Sequence, residues 1–406
     1  DVCGQGNNGT LVNGPTFNSN GAIDFDGVDD EVNTSYYAQL NDFTVTVLFK
    51  DGGTAAWGRI VDKGYQSGFF ISSYFATYGS GYVGCGIIEP TPPHGVALQY
   101  DTSRWHSFTS VRSGTTQTIY LDGVTNTATR TVSSATLNST SVSIGAWSGG
   151  TNSQRYTGDV NKVLMYNKAL TPTEILQNYY QAPIVTDGLV FAVDAGNLVS
   201  YENGSTTTNS LTDSSTGTLT NGVGFDSANG GTWNFDGTND YITLPSSIAT
   251  SLNGGEEASL NMWVKLNSNS NSVANTGIIQ LSGYSNGNGS LYWYQNGYTY
   301  LDIFITTRYR VWINTVLDPR NWHMLTITTT SGTNGWKAYL NGILQFQTTG
   351  QSTVSVNSTI VGGLTLGENS NGRYTNGNIA SCFIYDKALT AEEVQQNFQA
   401  QSSRFI

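Results

Sequence analysis

Charge is what this 406-residue chain has least of: only 11% of its residues are Asp, Glu, Lys or Arg. The few charges lean acidic, to a net −12. No basic stripe is available for phosphate contacts, which excludes a nucleic-acid partner. Cysteine is nearly absent too. Cys3, Cys85 and Cys382 fit no zinc spacing, and the second half of the chain holds only one of them, so there is no disulfide framework. Prolines number 8 and no polar tract is long, which excludes a disordered chain. No run approaches the roughly 18 to 20 apolar residues of a membrane span, so no membrane insertion is expected. The chain opens at Asp1 rather than Met and shows no leader-like segment. An upstream piece removed or lying outside the sequence is the expectation.

What is abundant points one way. Gly (47 residues), Ser, Thr and Asn dominate, with 23 Tyr and 9 Trp. Hydroxyls and amides solubilise such a surface, while aromatic and β-branched residues favour strands. The chain reads as all-β, held by packed sheets, and its length suits two cores better than one. The Asn-X-Ser/Thr triplets at Asn33, Asn138 and Asn357 are what chance produces in this composition.

The chain also repeats itself. Gly9-Thr10-Leu11-Val12-Asn13-Gly14 returns as Gly217-Thr218-Leu219-Thr220-Asn221-Gly222. Phe25-Asp26-Gly27-Val28-Asp29-Asp30 returns as Phe235-Asp236-Gly237-Thr238-Asn239-Asp240, and Trp105-His106 as Trp322-His323. Tyr120-Leu121-Asp122-Gly123 and Lys168-Ala169-Leu170-Thr171 return as Tyr339-Leu340-Asn341-Gly342 and Lys387-Ala388-Leu389-Thr390. Five ordered matches define a duplicated domain. The joint falls near Ala182-Pro183, giving domains 1–182 and 183–406. The copies differ at their openings. Gly188-Leu189-Val190-Phe191-Ala192-Val193-Asp194 reads as a strand with no counterpart ahead of Gly9. The first copy is therefore expected to lack its N-terminal strand and to take one from upstream or from another chain.

Within each copy the local signals agree. Phe43, Val45, Val47 and Phe49 alternate with Thr44, Thr46 and Leu48, the period-two pattern of a strand with one buried face. Asp122-Gly123 and Asn341-Gly342 suit tight turns. Trp105 and Trp322 read as core anchors, and His106 and His323 as residues fixed at the core edge, since no nucleophile accompanies them. Thr171-Pro172-Thr173-Glu174 and Thr390-Ala391-Glu392-Glu393 are capping boxes that open one short helix at the end of each copy. Leu170 with Ile175, and Leu389 with Val394, have the spacing of a hydrophobic staple.

These landmarks together resemble the laminin-G-like, concanavalin A-like jelly-roll modules common in bacteriophage structural proteins and bacterial surface proteins. The resemblance runs from Gly-Thr-Leu-x-Asn-Gly to the closing Tyr-(Asn/Asp)-Lys-Ala-Leu-Thr segments, Tyr166 to Asn178 and Tyr385 to Asn397. It implies two tandem antiparallel β-sandwich (jelly-roll, concanavalin A-like) domains, each closed by a short C-terminal helix. It also implies a non-catalytic structural or adhesive part, first of all a virion surface component such as a capsid decoration or fibre. A secreted or cell-surface carbohydrate-binding adhesin is the alternative, and a polysaccharide-degrading enzyme on the same fold a third. The location expected is extracellular or on a virion surface. The partners expected are other structural proteins or copies of itself, and a host-surface glycan.

Two sets of residues carry candidate chemistry. Asp26, Asp29 and Asp30, with Asp236, Asn239 and Asp240 in the second copy, pack oxygen ligands into one short turn as Ca2+ requires. The same residues also suit plain turn capping through side-chain-to-backbone bonds. The second set is aromatic. Tyr292, Trp293, Tyr294, Tyr298 and Trp312 crowd one region, with Tyr300, as Phe69, Phe70, Tyr74, Phe75, Tyr78 and Tyr82 do in the first copy. Adjacent rings on a strand cannot share one face, and exposed planes stack on sugars or anchor protein interfaces. Glycoside hydrolysis on this fold needs alternating carboxylates on one strand. The glutamates fall instead in helix caps, apparent loops and the adjacent pair Glu256-Glu257.

Overall fold

The computed structural model describes residues 5–18, 20–53, 57–64, 68–73, 78–87, 95–133, 136–137, 140–147, 154–252, 257–267, 276–280, 290–295, 299–304, 308–313, 320–330, 332–333, 335–347, 352–353, 364–369 and 372–406. The chain divides into two compact units, Asp1–Tyr179 and Tyr180–Ile406.

Each unit is a pair of antiparallel sheets. In the first, one sheet runs Asn126–Thr131, Thr116–Leu121, His106–Ser113, Phe43–Asp51, Thr157–Tyr166, Ile23–Asp26 and Thr16–Phe17. The other runs Gly9–Val12, Glu31–Thr34, Ser143–Ile144, Arg59–Asp62, Phe69–Ser72, Tyr82–Ile87 and Val96–Gln99. The core fills between them. Phe43, Val45, Val47 and Phe49 from one sheet meet Ile60, Val61, Phe69, Ile71 and Val83 from the other, with Phe43 and Phe69 stacked at 5.0 Å.

The second unit repeats the plan. Thr232–Asp236, Asn376–Tyr385, Ala258–Leu266, His323–Thr329 and Trp336–Leu340 are successive neighbours in one sheet. Its partner sheet runs from Thr207–Asn209 to Arg308–Ile313. Trp233, Phe235, Leu260, Met262, Val264 and Ile327 from the first sheet pack with Ile242, Ile279 and Leu366 of the second. The architecture is the tandem jelly-roll class expected.

One expectation changes. The strand Phe43–Asp51 buries both faces from Phe43 to Phe49, not one. The outward threonines are used by the fold: Thr44 Oγ1 donates to the Lys168 carbonyl and accepts from Leu170 N, and Thr46 Oγ1 lies 2.9 Å from Thr109 Oγ1. The segment entering the closing helix thus lies over this face. A hydroxyl that can bond satisfies itself under cover, so alternation of Thr with aliphatics does not imply exposure.

Each unit ends in its capped helix, Pro172–Tyr180 and Ala391–Ser402. Thr171 N donates to Glu174 Oε2 at 2.8 Å and Glu174 N donates back to Thr171 Oγ1 at 3.3 Å; Thr390 and Glu393 do the same at 2.9 and 3.2 Å. Leu170, Ile175, Leu389 and Val394 are all buried beneath. No helix among the described residues is long and apolar enough to cross a membrane.

Candidate functional site

The acidic turns connect two repeated motifs. Asp26 Oδ1 accepts from Val28 N at 2.7 Å, and Asp30 Oδ2 accepts from Asp26 N at 3.0 Å. The second copy matches: Thr238 N to Asp236 Oδ1 at 2.7 Å, and Asp236 N to Asp240 Oδ2 at 3.1 Å. Across the sheet edge, Asn13 and Asn221, both held at positive φ, donate to the carbonyls of Asp29 and Asn239 at 3.0 and 2.9 Å. These bonds explain why the Gly-Thr-Leu-x-Asn-Gly and Phe-Asp-Gly motifs recur together. They leave one oxygen over in each copy. Asp30 and Asp240 are 5% and 3% exposed, and their Oδ1 atoms are buried without a hydrogen-bond partner. Ligand atoms of Asp26, Asp29 and Asp30 lie within 4.8 Å of one another. Burial first, then the charges of Asp26, Asp29 and Asp24, push the Asp30 carboxyl up, against the pull of the Asp26 N–H. A cation would answer both the orphaned oxygen and the crowding of charge.

The paired histidines serve the second set of turns. His106 Nδ1 lies 2.7 Å from Asp122 Oδ2 and its Nε2 2.7 Å from the Asp101 carbonyl, while Ser107 N donates to Asp122 Oδ1. In the second unit Asn341 replaces the aspartate: its Oδ1 accepts from Met324 N at 2.8 Å and its Nδ2 lies 3.3 Å from His323 Nδ1. Asp122 and Asn341 reach back this way because they hold φ of 53° and 48°.

Beside His323 the second unit opens into a cavity of about 440 Å³, lined by Asn229, Lys265, Arg320, Asn321, Trp322, His323, Asn341, Phe405 and Ile406. Its walls are built by side chains. Trp322 Nε1 donates to Asn229 Oδ1 at 3.1 Å, and Phe405 stacks on Trp263 at 4.4 Å and leans on Trp322 at 4.8 Å. Arg404 fixes the tail that carries Phe405. It bonds both carboxylate oxygens of Asp194 at 2.8 and 2.7 Å, together with the carbonyls of Asn229 and Gly231. The lining combines aromatic rings, three asparagine amides and the cations Lys265 and Arg320, with no Asp or Glu among the described residues. Sequence reasoning missed it. Trp322-His323 was legible as an anchor, but Asn229, Lys265 and Phe405 are far apart in the chain and meet only through the fold.

The aromatic set lies elsewhere. Ser290–Gln295, Thr299–Phe304 and Arg308–Ile313 are three adjacent strands. Tyr294 pairs with Tyr300 and Tyr300 with Trp312, one cross-strand row, while Trp293 pairs with Leu301 and Tyr292 with Asp302. The side chains of these strands, and Tyr298 altogether, lie outside the described residues. In the first unit Phe69 and Phe70 are buried, with the Arg59 guanidinium 3.7 Å over the Phe70 ring. Tyr78 is half exposed and stacks on Tyr82 at 5.5 Å. Tyr74 and Phe75 lie outside the described residues.

Tandem antiparallel sandwiches with capped closing helices define the class, and sequence comparison gives the family. The laminin-G-like family described as the concanavalin A-like lectin/glucanases superfamily matches residues 26–176 and 236–395. The chain belongs to this family. No curated protein matches the sequence. Among solved structures, domain 4 of a GH43 extracellular arabinanase from Geobacillus stearothermophilus, in complex with arabinotriose, is similar at 19% identity and a TM-score of 0.41, covering 52% of this chain and 98% of that one. The receptor-binding domain of a botulinum neurotoxin C/D mosaic serotype is similar at 16% identity and a TM-score of 0.40, covering 53% of this chain and 52% of that one. A botulinum neurotoxin type C structure, described through its interaction with two ganglioside molecules, is similar at 12% identity and a TM-score of 0.41, covering 55% and 52%.

Proposed function

We propose that the chain is a non-catalytic binding and display protein whose second unit takes a glycan. The cavity beside Trp322 carries this reading. The Trp322 and Phe405 rings give the cavity an apolar wall for sugar carbons, amides bond hydroxyls, and Lys265 with Arg320 favours a saccharide bearing a carboxylate or sulfate. Hydrolysis of a glycosidic bond needs a pair of carboxylates flanking it, and the described residues of the lining supply no Asp or Glu. The cross-strand pairing of Tyr294 with Tyr300 and of Tyr300 with Trp312 supports a second place for the same class of ligand. Membership of a lectin and glucanase superfamily supports a glycan ligand. A surface rich in hydroxyls and amides and poor in charge supports display outside the cell. On a virion, as capsid decoration or fibre, the partners are other structural proteins or copies of the chain. On a secreted or cell-surface adhesin, the glycan is the main partner.

Glycan-array binding followed by calorimetry tests the proposal. Lys265→Ala with Arg320→Ala is expected to weaken the best acidic glycan at least ten-fold, and Trp293→Ala to leave that ligand unchanged. Loss in Trp293→Ala alone moves the site to the aromatic strands. Binding to no glycan, or release of sugar in a polysaccharide screen, sinks the reading.

A further inference from the structure

Because the two units are copies, matched positions can be compared one by one around the cavity. In each unit the residue opposite the paired histidine is followed along its strand by a lysine: Phe49 faces His106 and precedes Lys50, and Val264 faces His323 and precedes Lys265. On the neighbouring strand Asp159 stands opposite Lys50, but Asn378 opposite Lys265. One strand further on, Asp24 faces Asp159, and Asn234 faces Asn378. At the turn, Asp122 is matched by Asn341, and ahead of the tryptophan Ser103-Arg104 is matched by Arg320-Asn321. These positions hold three carboxylates and two cations in the first unit (Asp24, Asp122, Asp159; Lys50, Arg104). In the second they hold two cations, Lys265 and Arg320, and no carboxylate.

The fold does not require the exchange. Asp122 Oδ1 accepts from Ser107 N at 2.9 Å and Asn341 Oδ1 from Met324 N at 2.8 Å. The other atom of each group lies beside the histidine Nδ1, at 2.7 and 3.3 Å. Asp159 Oδ1 accepts from Asn18 Nδ2 at 2.7 Å, and Asn378 Nδ2 donates to Thr232 Oγ1 at 3.1 Å. Carboxylate and amide each find their bonds, so what separates them is charge. In the first unit that charge is matched within the turn, where Arg104 Nη2 lies 3.2 Å from Asp122 Oδ2. In the second unit Lys265 and Arg320 line the cavity, with no Asp or Glu among its described residues. Fixed cations in a concave wall raise the local concentration of an anion.

We propose that Asn341 and Asn378 set the second unit's cavity for an anionic saccharide, and that the matched surface of the first unit rejects one. The inference rests on the glycan reading of that cavity. A carboxylate at either position would neutralise Lys265 or face the acid group of the ligand, and rejection by a like charge is as much a source of specificity as attraction. The chain therefore takes one acidic ligand and not two, although both units have the sandwich, the lysine and the Trp-His pair.

Calorimetric titration of the full chain tests this, with a heparin tetrasaccharide and with the same tetrasaccharide desulfated and carboxyl-reduced. The expected result is one site per chain for the charged form and binding at least ten-fold weaker for the neutral form. Asn341→Asp with Asn378→Asp is expected to weaken the charged form at least ten-fold and to leave the neutral form unchanged, a split that a merely structural role would not produce. Asp122 and Asp159 show a carboxylate accommodated at both places, and an unchanged melting profile checks that the variant folds; Asn378→Asp alone is a second check and is expected to act in the same direction. Equal affinity of variant and parent for the charged form, two sites per chain, or a neutral form that binds as tightly overturns the inference and leaves the glycan reading standing. Binding of neither form overturns it too; the glycan reading falls only if the glycan array is also blank.

Discussion

Lys63 is fully buried in the first unit, its Nζ donating to the Thr140 carbonyl at 2.7 Å and lying 5.7 Å from the Tyr36 ring. Burial lowers its pKa to about 8. The unfolded chain holds the same proton to a pKa of about 10.4. Between those values the unfolded state binds more protons, so stability contributed at this site rises with pH; below about 8 the full cost of the buried charge remains. Lys63→Met is therefore expected to gain about 1–3 kcal/mol at pH 7 and to lose that advantage by pH 10. Parallel unfolding curves for the two proteins across that range would refute it. The acidic turns give the second residue-scale prediction. Millimolar Ca2+ is expected to raise the melting temperature by a few degrees, chelation to reverse it, and Asp30→Asn with Asp240→Asn to abolish the response. A melting temperature indifferent to Ca2+ would leave Asp26, Asp29, Asp30, Asp236, Asn239 and Asp240 as turn-formers only.

At the scale of elements, what could be read beforehand was whatever the backbone itself demands. The capping boxes are legible because Thr and Glu three apart satisfy named N–H groups of the same turn. Asp122-Gly123 is legible because both residues take positive φ, which few residues tolerate. The repeats Gly-Thr-Leu-x-Asn-Gly and Phe-Asp-Gly were visible, but not why they travel together. The bond from Asn13 to the Asp29 carbonyl joins adjacent strands and leaves no mark on spacing. The covered outer face of Phe43–Asp51 was hidden for a related reason: Thr44 meets Lys168 and Leu170 only after the chain returns. The cavity beside Trp322 was least legible, since its lining comes from separate turns, two strands and the tail after the last helix. Local rules are written in the sequence; the meeting of distant side chains is written in topology.

At the scale of the whole molecule, the two cores share no residue. One cluster draws on Phe25 to Val160 and the other on Phe191 to Ile384. A matched pair of glycines makes this testable. Gly145 and Gly367 hold φ of +82° and +84°, and a methyl at either would meet the ring of Phe25 or Phe235 at 2.3 or 2.4 Å. Both the backbone and the ring oppose the change, so each Gly→Ala is expected to cost about 2–4 kcal/mol. In units of this size that lowers a melting temperature by roughly 5–15 °C. Calorimetry of the intact chain is expected to show two transitions, with Gly145→Ala lowering one and Gly367→Ala the other. A loss confined to one transition means the unaffected sandwich stands on its own buried layer, as a duplicated module must if each copy once folded alone. A single transition shifted equally by both variants would mean that the copies have become one cooperative unit, and the duplication would then be a record of origin and not of present independence.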